Sequence, residues 1–358
     1  MSVAANPASV YDIARLARTM LPGHIWDYLN GGAGQERTLG ANRAAFHRLS
    51  LVPAVLTDVS RRDLRTTLLG AEVAAPVAVA PMAYHRLAHV DAEPATVRAA
   101  GAEGLLCVVS TFASHTLEEI AAEATGPLWF QLYCLRDRGL TKDLVDRARA
   151  AGYRALVLTA DAPMLGYRDR DIRTGFQLPA HVRPANLAGT TGSGATVAEL
   201  NSVLVDPSVT WRDVAWLRGL SDLPVVVKGV LRAADAQRAV DHGADGVLVS
   251  NHGGRQVDGA IATMRALPAV LDAVGDRCEV YVDGGVRRGT DVLRALASGA
   301  RAAFVGRPVL WGLAADGEAG VRAVLRVYSE ELELTMAACG CPDVTSAGPE
   351  LLAAGVDD

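Results

Sequence analysis

Ser250-Asn251-His252-Gly253-Gly254-Arg255-Gln256 sets an imidazole and a guanidinium three residues apart on a glycine-bearing loop, just after the apolar run 246–250. A base that titrates near neutrality beside a fixed cation suits proton abstraction from a small carboxylate, which the guanidinium grips through two parallel hydrogen bonds. Two further segments place glycine and arginine directly after apolar runs: Asp283-Gly284-Gly285-Val286-Arg287-Arg288-Gly289 and Gly306-Arg307-Pro308. Glycine leading into a helix start lets backbone N–H groups approach a phosphate closely. The three segments together read as an enzyme that holds a phosphate-bearing cofactor.

Such groups need elements that bring them to one place. From residue 77 the chain alternates apolar, β-rich runs with helix-like segments. The runs are 77–83, 105–111, 128–133, 155–162, 225–230, 246–251, 279–285 and 302–309. Continuous apolar strands separated by helices predict a parallel sheet covered on both faces. Eight of them predict a closed (β/α)8 barrel, a TIM barrel, with an open doubly wound sheet as the alternative. Helices are expected over 91–104, 140–151 and 232–243, each stopping at glycine.

In a barrel the site lies at the C-terminal strand ends. In chain order those ends present Pro81-Met82-Ala83, then Ser110-Thr111-Phe112, then Gln131 and Tyr133, then Thr159 and Asp161 with Arg168 shortly after. The later strands carry Lys228, then His252 and Arg255, then Asp283 and Arg287, then Gly306 and Arg307. Each residue also has a plainer reading. Lys228 could pair with a structural carboxylate, His252 could be a satisfied loop histidine and Asp161 could cap a helix. Tyr28, at helical spacing from Trp26, could be core, and Arg287 and Arg288 could be a solvated helix start. Their succession along eight strands argues for a site.

Two regions fall outside the repeat. Residues 1–70 form an N-terminal helical extension that starts at 9–21 and turns at 30–34. The stretch 163–224 reads as a long loop after the fourth strand, a lid, whose Gly/Thr/Ser-rich middle (186–202) is expected to be mobile. With the barrel over 77–310 and helices and a tail over 311–358, the chain reads as a single domain, 1–358.

The chain has 358 residues, half of them hydrophobic, and a net charge of −5. Its basic residues are scattered, which argues against nucleic acid or an anionic membrane surface as a partner. No apolar stretch approaches the roughly 20 residues that span a bilayer. The five cysteines show no metal-ligand spacing, so no metal is expected. Their odd number and the lack of a secretory signal predict reduced thiols in the cytoplasm. There is no G-x-G-x-x-G after a strand and no P-loop, which disfavours a dinucleotide or a nucleoside triphosphate. A mononucleotide with one phosphate fits better, and FMN is the candidate.

The ordered set WFQLY, LVLTAD, VVVKGV, SNHGGRQ, VDGGVRRGTD and FVGRP resembles the FMN-dependent α-hydroxy acid oxidase and dehydrogenase family, which includes glycolate, lactate and mandelate oxidising enzymes. The resemblance runs from about residue 10 to about residue 341. It implies that His252 is the base and that Asp161 stabilises the imidazolium formed when His252 takes a proton. It implies that Arg255 and Tyr28 bind the substrate carboxylate with help from Arg168, and that Tyr133 bonds the substrate hydroxyl or the developing carbonyl. Lys228 would stabilise negative charge on the reduced flavin, and Ser110, Gln131, Thr159 and Ser250 would contact the cofactor. The backbone at Ala83 would approach the flavin. Asp283 would hold the ribityl chain, and Gly285, Arg287, Gly306 and Arg307 the phosphate.

Some positions depart from the glycolate-oxidising pattern. Phe112 replaces a tryptophan, Met82-Ala83-Tyr84 replaces Thr-Ala-Met, and Tyr167 replaces an arginine beside Arg168. The smaller Phe112 widens the substrate pocket, and the stretch APMAYHRLAH is closest to mandelate and 4-hydroxymandelate oxidases. The expected reaction is oxidation of an (S)-2-hydroxy acid, aromatic in preference, with O2 as acceptor and H2O2 as product. The alternatives are a quinone or protein acceptor, an aliphatic acid such as lactate or glycolate, and, more remotely, a non-redox flavin barrel isomerase. The resemblance also implies a homotetramer or homo-octamer.

Overall fold

The computed structural model describes residues 7–187 and 196–354. Eight parallel strands close into a barrel in sequential order. They are β1 (Val77–Val79), β2 (Leu106–Ser110), β3 (Leu128–Leu132), β4 (Leu156–Thr159), β5 (Val225–Val230), β6 (Gly246–Val249), β7 (Glu279–Asp283) and β8 (Ala302–Val305). The helices that follow them are α1 (Ala92–Ala102), α2 (Leu117–Glu123), α3 (Arg138–Ala150), α4 (Trp211–Leu220), α5 (Ala233–Asp241), α6 (Thr263–Val274), α7 (Gly289–Ala297) and α8 (Arg307–Ala338). This is the (β/α)8 barrel expected from the apolar runs, and the open doubly wound sheet is set aside.

Period-two alternation divides the strands between two cores. Ala78, Leu106, Val108, Trp129, Val157, Val226, Leu248, Tyr281 and Phe304 fill the barrel interior. Trp129, Tyr281 and Phe304 meet there with ring centroids 5.4–6.0 Å apart. Alternate residues such as Val77, Val79, Val225, Val227 and Val247 pack outward against the helices. A hairpin of Thr66–Leu68 and Ala71–Val73 adds Leu68 and Val73 to the interior and closes the floor. It is tied down where the Leu69 N–H donates to the Glu279 carboxylate at the start of β7.

The N-terminal extension has three helices, Val10–Met20, Gly23–Asn30 and Arg37–His47, and a strand Leu49–Leu51 that pairs with Leu352–Ala354. The first helix packs against α8, which is broken at Asp316 and Gly317 by non-helical backbone. The barrel boundary drawn at 310 therefore falls inside α8.

The stretch 163–224 is long but is not a continuous loop. It contains helices Asp169–Thr174 and Val197–Leu204, and its last part is α4 itself. Capping boxes start the latter two: the Thr196 side chain accepts from Glu199 N–H, and Asp213 accepts from Thr210 N–H. The segment expected to be mobile is thus helical from Val197, while residues 188–195 lie outside the described residues. No helix among the described residues is long and apolar enough to cross a membrane.

Candidate active site

The C-terminal strand ends open into a cleft with about 1280 Å³ of space, counting the part continuous with solvent. Its lining includes Tyr28, Ala83, Ser110, Phe112, Gln131, Tyr133, Thr159, Arg168, Lys228, His252, Arg255, Asp283, Gly285, Arg287, Gly306 and Arg307. Asp161 and Ser250 lie outside this lining and touch it through His252 and Lys228.

Strand register builds the polar floor. Ser110 lies beside Gln131, and Thr159 beside Lys228, in neighbouring strands. Ser110 Oγ donates to Gln131 Oε1 at 3.1 Å, and Gln131 Nε2 donates to Thr159 Oγ1 at 3.0 Å. Lys228 Nζ donates to Ser250 Oγ at 3.0 Å and lies 4.0 Å from Asp161 and 3.8 Å from Asp283. Burial pushes the Asp283 carboxyl up against the pull of Lys228. Burial also pushes up on Asp161, but Lys228 and His252 outweigh it and hold that carboxyl below its ordinary value. Asp161 caps no helix.

His252 sits on a strained loop. His252, Gly253 and Gly254 are all left-handed, with φ of 58°, 63° and 74°. That conformation is uncommon for a histidine and is over-determined by its surroundings. The His252 N–H donates to Ser250 Oγ at 3.0 Å. The Asn251 and Asn42 side chains exchange hydrogen bonds of 2.7 and 2.8 Å. Gln256 Nε2 donates to the Asp161 and Met164 carbonyls, each at 2.9 Å. His252 Nδ1 meets Asp161 Oδ1 at 2.9 Å, which leaves Nε2 as the other ring nitrogen. Burial, aided by Lys228 and Arg168, pushes the imidazole down to about 4 despite Asp161, so the ring is a neutral base at physiological pH.

Two distant parts of the chain meet around Arg255. Arg255 Nη1 donates to the Gly31 carbonyl at 2.7 Å, and the guanidinium lies 5.4 Å from the Tyr28 ring. Tyr28 stacks on Phe176 with centroids 4.2 Å apart. Arg168 is buried with its Nη1 3.7 Å from Asp171. Burial, then the neighbouring charge of Arg168, pushes Arg255 down to about 10, so it stays cationic at neutral pH. Arg170 ties this wall to the N-terminal extension through Asp27 at 3.2 Å and Glu36 at 2.6 Å. Arg168 and Arg255 bring two positive charges together against the carboxylate of Asp171, an excess that favours binding of an anion.

The residues fit a flavin mononucleotide on their own chemistry. Asp283 Oδ1 and Arg287 Nε are buried without a protein partner. One suits a hydroxyl-bearing chain, the other a phosphate. Gly284 and Gly285 take φ of 85° and 97°, and the start of α8 lies beside them in the cleft wall. This is the barrel position at which phosphate binds to helix N-termini. Arg307 departs from the simplest expectation. Its guanidinium donates to the carbonyls of Asn30 at 3.0 Å, Gly253 at 3.0 Å and Gly31 at 2.7 Å. It latches the extension and the His252 loop together.

Sequence reasoning did not single out Asn42, Asn251 or Gln256 as positioning groups, nor Leu165, Val197 and Asn201, which line the cleft. Asn251 and Gln256 lie within the motif itself. Asn42 is 209 residues from its partner and carries no local signal.

Comparison with known proteins agrees with this geometry. The family model for FMN-dependent dehydrogenase matches residues 17–354. The L-lactate oxidase of Nostoc sp. is 47% identical over 352 residues, covering 95% of this chain and 96% of that protein. Human 2-hydroxyacid oxidase 1 is 46% identical over 345 residues, covering 94% and 93%. Among solved structures, mandelate oxidase with (S)-4-hydroxymandelic acid superposes with a TM-score of 0.93 at 46% identity, covering 98% of this chain and 99% of that one. The chain therefore belongs to the FMN-dependent dehydrogenase family, and FMN is its cofactor.

Proposed function

We propose that the protein oxidises an (S)-2-hydroxy acid to the 2-oxo acid with O2 as acceptor, giving H2O2, and that aromatic acids of the mandelate or 4-hydroxymandelate kind are preferred. The observation that carries this reading is the His252 imidazole, 2.9 Å from Asp161 and favoured in its neutral form by burial, lining the same cleft as Arg255. FMN, when bound, would supply a two-electron acceptor that O2 can reoxidise. The protein's residues do the rest. Arg255 and Tyr28, with Arg168 beside them, bind the substrate carboxylate and fix the orientation of its Cα. His252 takes a proton at Nε2, and Asp161 at Nδ1 stabilises the imidazolium that forms. Tyr133, whose phenol burial pushes up, stays protonated and bonds the substrate hydroxyl.

Ser110, Gln131 and Thr159 would face the flavin ring, the backbone at Ala83 would approach it, and Lys228 with Ser250 behind it would offset charge on it. Asp283 would bind the ribityl hydroxyls. Gly285, Arg287, Gly306 and the backbone N–H of Arg307 would hold the phosphate.

Two observations support an aromatic substrate. Phe112 lies in the cleft between Tyr84 and Tyr133, with ring centroids 6.1 and 5.4 Å away. Mandelate oxidase structures also superpose over nearly the whole chain. The test is O2 consumption and peroxide release by the holoenzyme with each enantiomer of mandelate and 4-hydroxymandelate, and with lactate and glycolate. Peroxide from an (S)-aromatic acid supports the reading. Flavin reduction without peroxide points to a quinone or protein acceptor.

The N-terminal extension supplies Tyr28 to the barrel's cleft, which supports one functional domain over 1–358. The exposed Val52, Val55 and Leu56 offer an apolar contact surface consistent with a homotetramer or homo-octamer, which light scattering would test. A cytoplasmic location follows from the cysteine reading and is open to fractionation.

A further inference from the structure

The Val197–Leu204 helix brings Asn201 into the cleft wall. Asn201 is 5% exposed, and its side-chain Oδ1 is buried without a hydrogen-bond partner. A buried amide oxygen left unpaired is costly, and native structures seldom tolerate one without a reason. Ala162, Leu165 and Val197 in the same wall are apolar, so the amide adds a polar group among them.

Barrel order places it. Strands run sequentially around the closed barrel, so the segment after β4 stands across the mouth from the segment after β8. The phosphate-binding elements follow β7 and β8. Asn201 therefore lies on the side of the cleft away from the phosphate, where Tyr133, Phe112 and Arg168 also stand.

We infer that Asn201 is a specificity residue that hydrogen-bonds a hydroxyl on the substrate's side chain, so that the preferred substrate is a 2-hydroxy acid bearing a phenolic hydroxyl. A phenol both donates and accepts, and it satisfies an amide edge in either orientation. An unsubstituted ring or a methyl group leaves the amide unpaired inside the closed complex. Discrimination then comes from the enzyme's own unsatisfied group, which separates substrates better than pocket size does. This inference rests on the proposed 2-hydroxy acid oxidation.

The experiment compares kcat/KM of the holoenzyme for (S)-4-hydroxymandelate, (S)-4-methylmandelate and (S)-mandelate, in the wild type and in Asn201→Leu. The 4-methyl compound has similar bulk without the hydrogen bond. The expected wild-type preference for 4-hydroxy over 4-methyl is on the order of tenfold or more, and Asn201→Leu should bring that ratio to about one. Asn201→Asp keeps an acceptor at the same position and should retain part of the preference. A wild-type ratio near one overturns the inference even if Asn201→Leu does not fold, and so does a ratio that Asn201→Leu leaves intact. Equal turnover of all three acids overturns this inference alone. Failure of all three to reduce the flavin overturns the proposed function with it.

Discussion

His252 keeps a hydrogen bond of 2.9 Å to Asp161 and is still a neutral base, because burial outweighs the neighbouring carboxylate. Lys228 explains much of this balance. It draws on the same carboxylate from 4.0 Å and adds its own charge against protonation of the imidazole.

The acid limb of kcat/KM should therefore fall near pH 4, well below the ordinary histidine value of about 6.5. The folded imidazole binds its proton only below about 4, whereas the unfolded one does so from about 6.5. Between those values the unfolded state holds more protons, so this group makes stability rise with pH across that window. Flavin-reduction rates measured from pH 3.5 to 8 check the limb. An inflexion between 6 and 7 would contradict the burial argument.

Lys228→Met should be strongly destabilising. It removes the cation between Asp161 and Asp283 and leaves two buried carboxylates facing each other's charge. Breaking a buried pair from one side costs about 3–5 kcal/mol. Thermal melts at pH 7 and pH 5 are the check. The deficit should shrink at the lower pH, because burial already favours the protonated form of Asp283.

Gly229 absorbs a shift in register between β5 and β6 at φ 106°, and a Cβ there would come 2.5 Å from the Asp161 side chain. Gly229→Ala should cost about 1–3 kcal/mol through backbone strain alone. It should also displace Asp161, so kcat should fall by more than FMN affinity does. Equal loss of both would argue that the damage is general.

Arg307→Lys keeps a cation but loses the fork that reaches the carbonyls of Asn30, Gly31 and Gly253. If the guanidinium is a latch, KM for the 2-hydroxy acid should rise several-fold while FMN stays bound, because Tyr28 rides on the loosened helix. A dominant loss of FMN affinity, measured by fluorescence titration, would assign the side chain to the phosphate.

Much of this was legible in the chain itself. The eight strands announced themselves as short apolar runs rich in valine, because both faces of a barrel strand are buried. All but 225–230 run past the strand at the C-terminal end: β1 stops at Val79, whereas its apolar run continues through Pro81 to Ala83. The helices within 163–224 were missed although Thr196-x-x-Glu199 and Thr210-x-x-Asp213 mark two of their starts, because glycine and threonine nearby dominate the composition. That His252 and Asp161 would share one end of the barrel was legible from order along the strands, and they meet at 2.9 Å. The Asn42–Asn251 exchange was not, because a polar contact across 209 residues has no period or spacing to reveal it.

The most direct measurement is anaerobic mixing of the holoenzyme with (S)-mandelate while the flavin absorbance is followed, in the wild type and in His252→Ala. The account predicts bleaching in the wild type, rapid recovery of colour with stoichiometric peroxide when air is admitted, and a His252→Ala protein that retains FMN but bleaches at least about 10²-fold more slowly. Bleaching of His252→Ala at the wild-type rate would contradict the central claim that this imidazole is the base.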